Sequence, residues 1–248
     1  MKKIIFCLIA VFAFLPAFIE AVDKTFEIKT DNGEKYSIEC SYESTFYPPS
    51  YSIFRIKNDN YNLTIMTVPD YCENIEKYYE KYSVEKVKNG FTVLYDKTER
   101  IKFIYDLEKK MWTIALYGAN STSKYSVEFS IIESNNKISF NDIYRWGEGN
   151  SNNKKIFSNM KVTYDNEQCG VPFSAYCNMA EMRSYHIYPT MDGFGFVING
   201  GESDTIEHYT AKLIFKKGLL MRKELKNSGF CGDVWEQIFY SHNEREDI

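Results

Sequence analysis

Strong electrostatic bias is missing from this sequence. Lysine and arginine total 30 against 34 aspartates and glutamates in 248 residues. A mildly acidic chain of this kind has no basic footprint for a nucleic-acid backbone, so nucleic acid is not expected as a partner. Histidine is scarce, with only His186, His208 and His242. There is no H-E-x-x-H signature and no C-x-x-C pair. Neither catalytic nor structural zinc is signalled, and no metal or other cofactor is expected. The G-x-S-x-G elbow of serine hydrolases is also missing. "GFGFVINGG", residues 193–201, is glycine-rich, but it lacks dinucleotide spacing and the Lys-Ser/Thr of a phosphate loop. Its alternating Phe194, Phe196 and Ile198 read instead as a strand, with glycines where packing is close. Carboxylates are plentiful, yet no pair is singled out by spacing as a glycosidase site.

Long apolar runs are scarce too. The one that stands out is Ile4–Leu15, preceded by Lys2 and Lys3 and followed by Pro16 and the small Ala21. This is the pattern of a cleaved secretory signal over residues 1–21. Its 12 apolar residues fall short of the roughly 20 needed to cross a bilayer. Cys7 sits at the start of that run behind the large Phe6, unlike a lipid-anchor cysteine, and belongs to the signal. The remaining chain is therefore expected to be exported, secreted or periplasmic, and soluble, with no stable membrane span.

Five cysteines stay in the mature chain: Cys40, Cys72, Cys169, Cys177 and Cys231. An oxidising compartment favours disulfides, and an odd number leaves one thiol over. Cys169–Cys177 and Cys40–Cys72 are the candidate bridges. Cys231 is then the possible free thiol, or it takes Cys169 or Cys177 as its partner. "CGVPFSAYC" holds Gly170 and Pro172, which let a short loop turn back on itself. Closing such a loop is worth about 2–3 kcal/mol in the chain-entropy view. "QCG" resembles the Gln-then-Cys-Gly element of papain-like enzymes in two residues only. The nearest histidine, His186, lies 17 residues on, and no catalytic cysteine is assigned.

What is abundant is β-forming sequence. "TFEIKT-DNG-EKYSIEC", "YSIFRIK-NDN-YNLTIMTV", "SVEKV-KNG-FTVLYD", "IKFIYDL-EKK-MWTIALYG" and "TAKLIF-KKG-LLMRKEL" each place a turn between alternating runs rich in Tyr, Phe, Ile, Val and Thr. One segment reads as a helix, Pro69–Ser83. Asp70 is its N-cap, and Ile75, Tyr78, Tyr79 and Tyr82 fall on one face. Ser139–Trp146 reads as a shorter one. The expected fold is α+β and mostly antiparallel. Residues 22–146 form a sheet carrying a helix, 147–153 ("GEGNSNN") a linker, and 154–248 a β-meander or sandwich. The order strands, helix, strands in the first part is similar to that of Mog1/PsbP-like domains. That likeness is one of topology, covers under half the chain, rests on no signature motif and carries no function.

These features point to an exported, non-catalytic module that binds an unknown protein or glycan ligand through an aromatic-rich β surface. Two other readings stay open. One is a secreted hydrolase using carboxylates or a Cys/His pair; the other is a secreted host-directed factor that captures a protein. Asn62-Leu-Thr64 and Asn120-Ser-Thr122 match the glycosylation acceptor pattern.

Overall fold

The computed structural model describes residues 24–43, 51–59, 61–67, 80–135, 153–201, 208–227 and 234–241. Among the described residues sixteen strands make up two sheets that face one another. They are β1 (Lys24–Lys29), β2 (Lys35–Glu43), β3 (Tyr51–Asn58), β4 (Tyr61–Thr67), β5 (Tyr82–Val87), β6 (Gly90–Tyr95), β7 (Thr98–Asp106), β8 (Met111–Ala119), β9 (Lys124–Asn135), β10 (Asn153–Tyr164), β11 (Glu167–Gly170), β12 (Met182–Thr190), β13 (Gly193–Gly200), β14 (Tyr209–Lys216), β15 (Leu219–Asn227) and β16 (Val234–Phe239).

The seven-stranded sheet is an uninterrupted meander, with β5 to β11 lying side by side in chain order. The nine-stranded sheet joins two meanders, β1–β4 and β12–β16. Their joint is the parallel pairing of β4 with β12, from Ser184 opposite Thr64 to Ile187 opposite Thr67. Both sheets thus take strands from either side of residues 147–153, and Asn153 at the start of β10 pairs with Asn135 at the end of β9.

All five hairpins signalled by turn residues form: β1–β2, β3–β4, β5–β6, β7–β8 and β14–β15. Lys217 and Gly218 both have positive φ, as a two-residue primed turn requires. Two further turns of this type carry no glycine. Asp96-Lys97 joins β6 to β7, and Asp165-Asn166 joins β10 to β11, again with both φ positive.

The expected α+β class is corrected. The protein is nearly all β, and among the described residues no helix packs on either sheet. Tyr82 and Ser83, read as the end of a helix, begin β5. Tyr82 is buried by strand alternation: its ring meets Phe54 at 5.2 Å and Tyr95 at 4.9 Å, and its hydroxyl meets Ser52 Oγ at 3.2 Å. An aromatic shared between two periodicities is a weak arbiter between them. Glu80 keeps helical backbone and Lys81 turns into β5, while residues 69–79 of the proposed helix, the shorter Ser139–Trp146 and residues 147–152 lie outside the described residues.

The core lies between the sheets and is largely aromatic. β14 shows the rule that builds it: Tyr209, Ala211, Leu213 and Phe215 point inward, and the residues between them point out. Phe129 of β9 crosses the gap to Tyr185 (4.4 Å) and Phe196 (5.6 Å) of the other sheet. Tyr125 stacks on Phe194, which stacks on Phe215, at 4.5 and 4.7 Å. Tyr36 meets Phe91 and Phe103 near 5.4 and 5.3 Å at the other end. Each ring removes apolar area from water and adds a further gain from ring-on-ring geometry. Phe129→Ala is expected to cost about 3–5 kcal/mol in denaturant unfolding. Leu107→Ala, on a side chain 57% exposed, should stay within about 0.5 kcal/mol. Equal costs for the two would contradict this placement of the core.

Candidate functional site

Residues 171–181 connect β11, at the edge of one sheet, to β12, in the middle of the other. The connection is a strap that touches both sheets. A single 3-10 turn, Phe173–Ala175, opens it behind Pro172, and Cys177 N donates to Phe173 O at 3.0 Å. Ala180 bridges Ile156 of β10, and its carbonyl accepts the buried Tyr209 hydroxyl of β14 at 2.9 Å. Burial holds that phenol firmly in its neutral form. Glu181 is tied to Lys155 by two 2.9 Å bonds, one from each backbone amide.

Beneath the strap lies a polar centre built around one buried lysine. Lys223 of β15 is fully buried, although Lys is among the residues least often found so. Its Nζ lies 2.7 Å from Glu236 Oε1 of β16 and donates to Asn178 Oδ1 at 2.7 Å and Ser174 O at 3.4 Å. Asn178 Nδ2 donates in turn to Glu236 Oε2 at 2.9 Å. Amine, amide and carboxylate thus close a triangle. Glu236 Oε1 makes no hydrogen bond of ordinary angle; its polar contact is the close approach of the ammonium. Tyr240 borders the centre, and burial above all pushes its phenol pKa up, with Ser174, Glu236 and Cys177 beside it. The strand "LLMRKELKN" was legible, but not what its fifth residue does. The available signal was one Lys in register with the inward Leu225.

Cys169 and Cys177 sit in different surroundings. Cys169 sits opposite Val162 on β11 with its sulfur packed against Gly218 of the β14–β15 turn. Cys177 sits in the strap beside Tyr176 and Tyr240. Both are thiols, and no bond joins them. The bridge expected between them is therefore not what the structure holds: β-pairing points Cys169 toward the β14–β15 turn. Cys40 is buried on β2, and Cys72 and Cys231 lie outside the described residues. Burial, then the nearby Glu167, raises the Cys169 thiol, the opposite of an activated thiolate. Among the described residues no three His, Cys, Asp or Glu side chains cluster closely enough to hold a metal ion. Among them, too, no helix is long and apolar enough to cross a membrane. Of the two acceptor asparagines, Asn62 is exposed, whereas Asn120 is bound into its own turn through Thr122 and Ser123.

The outer face of the nine-stranded sheet carries a second arrangement. Ladder register lines up Ile53, Met66, His186, Val197, Lys212 and Glu224 across six strands. From Met66 to Glu224 these side chains are half-buried, although the core is on the opposite face. Tyr188 lies beside this row, 5.1 Å from the His186 ring, with Lys212 Nζ 5.5 Å from its centroid. It covers Gly195, where a Cβ would come within 2.2 Å of the ring, so a side chain there would displace the tyrosine. Burial first, then the Lys212 cation, lowers the His186 pKa to about 4. Lys226 and Arg222 beside Glu224 hold its carboxyl below the usual range, the Lys226 hydrogen bond first.

Two tests follow from these placements. His186 is neutral in the fold at pH 7 and titrates near 6.5 once unfolded. The unfolded chain therefore binds the extra proton between about 6.5 and 4, and stability should fall as pH drops through that window, by roughly 3 kcal/mol at most. His186→Gln should flatten this part of a chemical-unfolding series; an unchanged slope would show that other groups carry it. Alkylation of the unreduced protein in denaturant should label both Cys169 and Cys177, and recovery of a disulfide-linked 169–177 peptide would overturn their placement as thiols.

No protein-family model, no curated protein and no solved structure matches this chain.

Proposed function

We propose that this is an exported, non-catalytic β-sandwich protein that binds a protein or glycan partner on the outer face of its nine-stranded sheet. The observation that carries this reading is the row from Met66 through His186 and Val197 to Lys212, flanked by Tyr188. Packing between the two sheets does not account for His, Tyr, Met and Val in register on the opposite face. Aromatic and cationic groups held in fixed rotamers lose little entropy on contact, which suits a recognition surface. The face mixes hydrogen-bonding groups, such as Thr64, Ser184, Asn199 and Thr210, with apolar ones. That mixture fits a polar partner with exposed edges better than a lipid surface. Export is supported by the lysine-led apolar run at residues 2–15.

A photoreactive residue at Val197 tests the surface in the medium or envelope of the cells that make the protein. It should capture a discrete partner, while the same group at the exposed Lys161 on the other sheet should not. Lys212→Ala combined with His186→Ala should weaken capture at least about tenfold, as for residues that dominate an interface. N-terminal sequencing of the same material should begin close to Val22. Equal capture at both positions would remove the proposed face, and an intact Met1 on exported protein would remove the cleaved signal.

A further inference from the structure

The triangle beneath the strap, built around the buried Lys223, contains every group needed to make a new covalent bond. Lys223 supplies an amine, Asn178 a carboxamide carbon, and Glu236 a carboxylate touching both nitrogens. The amine nitrogen already lies 2.7 Å from the oxygen carried by that carbon. Burial removes the water that would otherwise solvate the amine and compete with it. Held this way, an intramolecular reaction gains an effective concentration far above any attainable in solution.

We propose that Lys223 and Asn178 close an intramolecular isopeptide bond, with Glu236 carrying protons between them. Lys223 first passes a proton to Glu236 Oε1 across their 2.7 Å contact, which leaves a lone pair on Nζ. Nζ attacks Asn178 Cγ; the Nζ–Cγ bond forms as the carbonyl π electrons move to Oδ1. Nζ gives up a further proton, and Nδ2 receives one through the carboxylate it already contacts at 2.9 Å. The carbonyl reforms, the Cγ–Nδ2 bond breaks with its electron pair on nitrogen, and ammonia departs. Ammonia takes the remaining proton from Glu236 and leaves as ammonium, so the carboxylate is restored. The chain exchanges one lysine ammonium for a neutral amide, and no oxidant, reductant or co-reactant is consumed.

The product would pin the strap to β15. Since the strap also binds β10 through Ala180 and Glu181, the bond would lock one end of the sandwich across both sheets. Unlike a disulfide, this link would not depend on redox conditions.

Intact mass of the folded full chain is the test. The expected result is a loss of one ammonia, about 17 Da, relative to the sequence. Proteolysis should give a branched peptide joining Asn178 to Lys223, with no tryptic cleavage after Lys223. Lys223→Arg keeps the charge and cannot form the bond, so it should return the mass to the value for an unlinked chain. Glu236→Gln should leave the amine and amide unlinked in protein whose circular dichroism is still that of the sheet. A folded wild-type chain of unshifted mass, with an ordinary Lys223 peptide, would overturn the proposal and leave an ion pair only. Ammonia loss that persists in Lys223→Arg would overturn it too, since the bond would then lie elsewhere.

Discussion

The parallel seam between β4 and β12 is the constraint on which the rest of this sandwich depends. The chain reaches Thr67, leaves the nine-stranded sheet, lays down all seven strands of the other sheet, and returns beside the strand it left. Only four residue pairs, Ser184–Ile187 with Thr64–Thr67, register the two halves. A parallel ladder is slightly weaker per residue than an antiparallel one. Four pairs cannot by themselves offset the closure of a loop more than a hundred residues long. The compensation comes from the core side of the seam, where Ile65, Tyr185 and Ile187 are buried against the opposing sheet and Phe129 reaches Tyr185. The seam and the inter-sheet aromatic clasp therefore form together. Such non-local pairing belongs to the slow, high-contact-order end of folding.

Both functional arrangements inherit their geometry from that seam. On the outer face, Met66 reaches His186 only because β4 and β12 are neighbours. On the inner side, β12 can enter the middle of the sheet only if the chain crosses over from the edge strand β11, and the strap is that crossing. Asn178 is carried on the crossing, whereas Lys223 and Glu236 wait on strands at the far end of the sheet. Three residues from separate elements thus converge where the two sheets are joined by the chain itself.

The local level of this fold could be read from sequence, and the non-local level could not. Asp31-Asn32-Gly33, Asn89-Gly90 and Lys217-Gly218 announce their turns because glycine or asparagine tolerates positive φ at no great cost. Asp96-Lys97 adopts the same backbone without such a signal, since the flanking strands impose it on a lysine. Tyr82 misled because one aromatic fits a helical stripe and an alternating strand equally well, and the opposing sheet decided in favour of the strand. The glycine-rich 193–201 run was legible as a strand, and Gly195 is needed there because Tyr188 lies across it. The Lys223 centre was not legible. Its partners are 45 positions away in Asn178 and across a chain reversal in Glu236, and nothing in local periodicity encodes a partner at that distance.

A buried lysine also demands a reason beyond stability. Taking an ammonium out of water costs several kcal/mol, and well-packed apolar residues often replace a buried ion at no loss. At Lys223 the neighbouring inward positions are apolar, so an aliphatic side chain would complete the pattern set by Leu225. The polar choice is matched by two further polar choices, Asn178 and Glu236, each placed so that all three contacts are short. In sequence, the two cysteines of "CGVPFSAYCN" suggest a staple across a turning loop. The structure keeps those sulfurs apart and brings the residue after the second cysteine against an amine. The strap is thus anchored by its asparagine, where the chain returns from the seven-stranded sheet to the nine-stranded one.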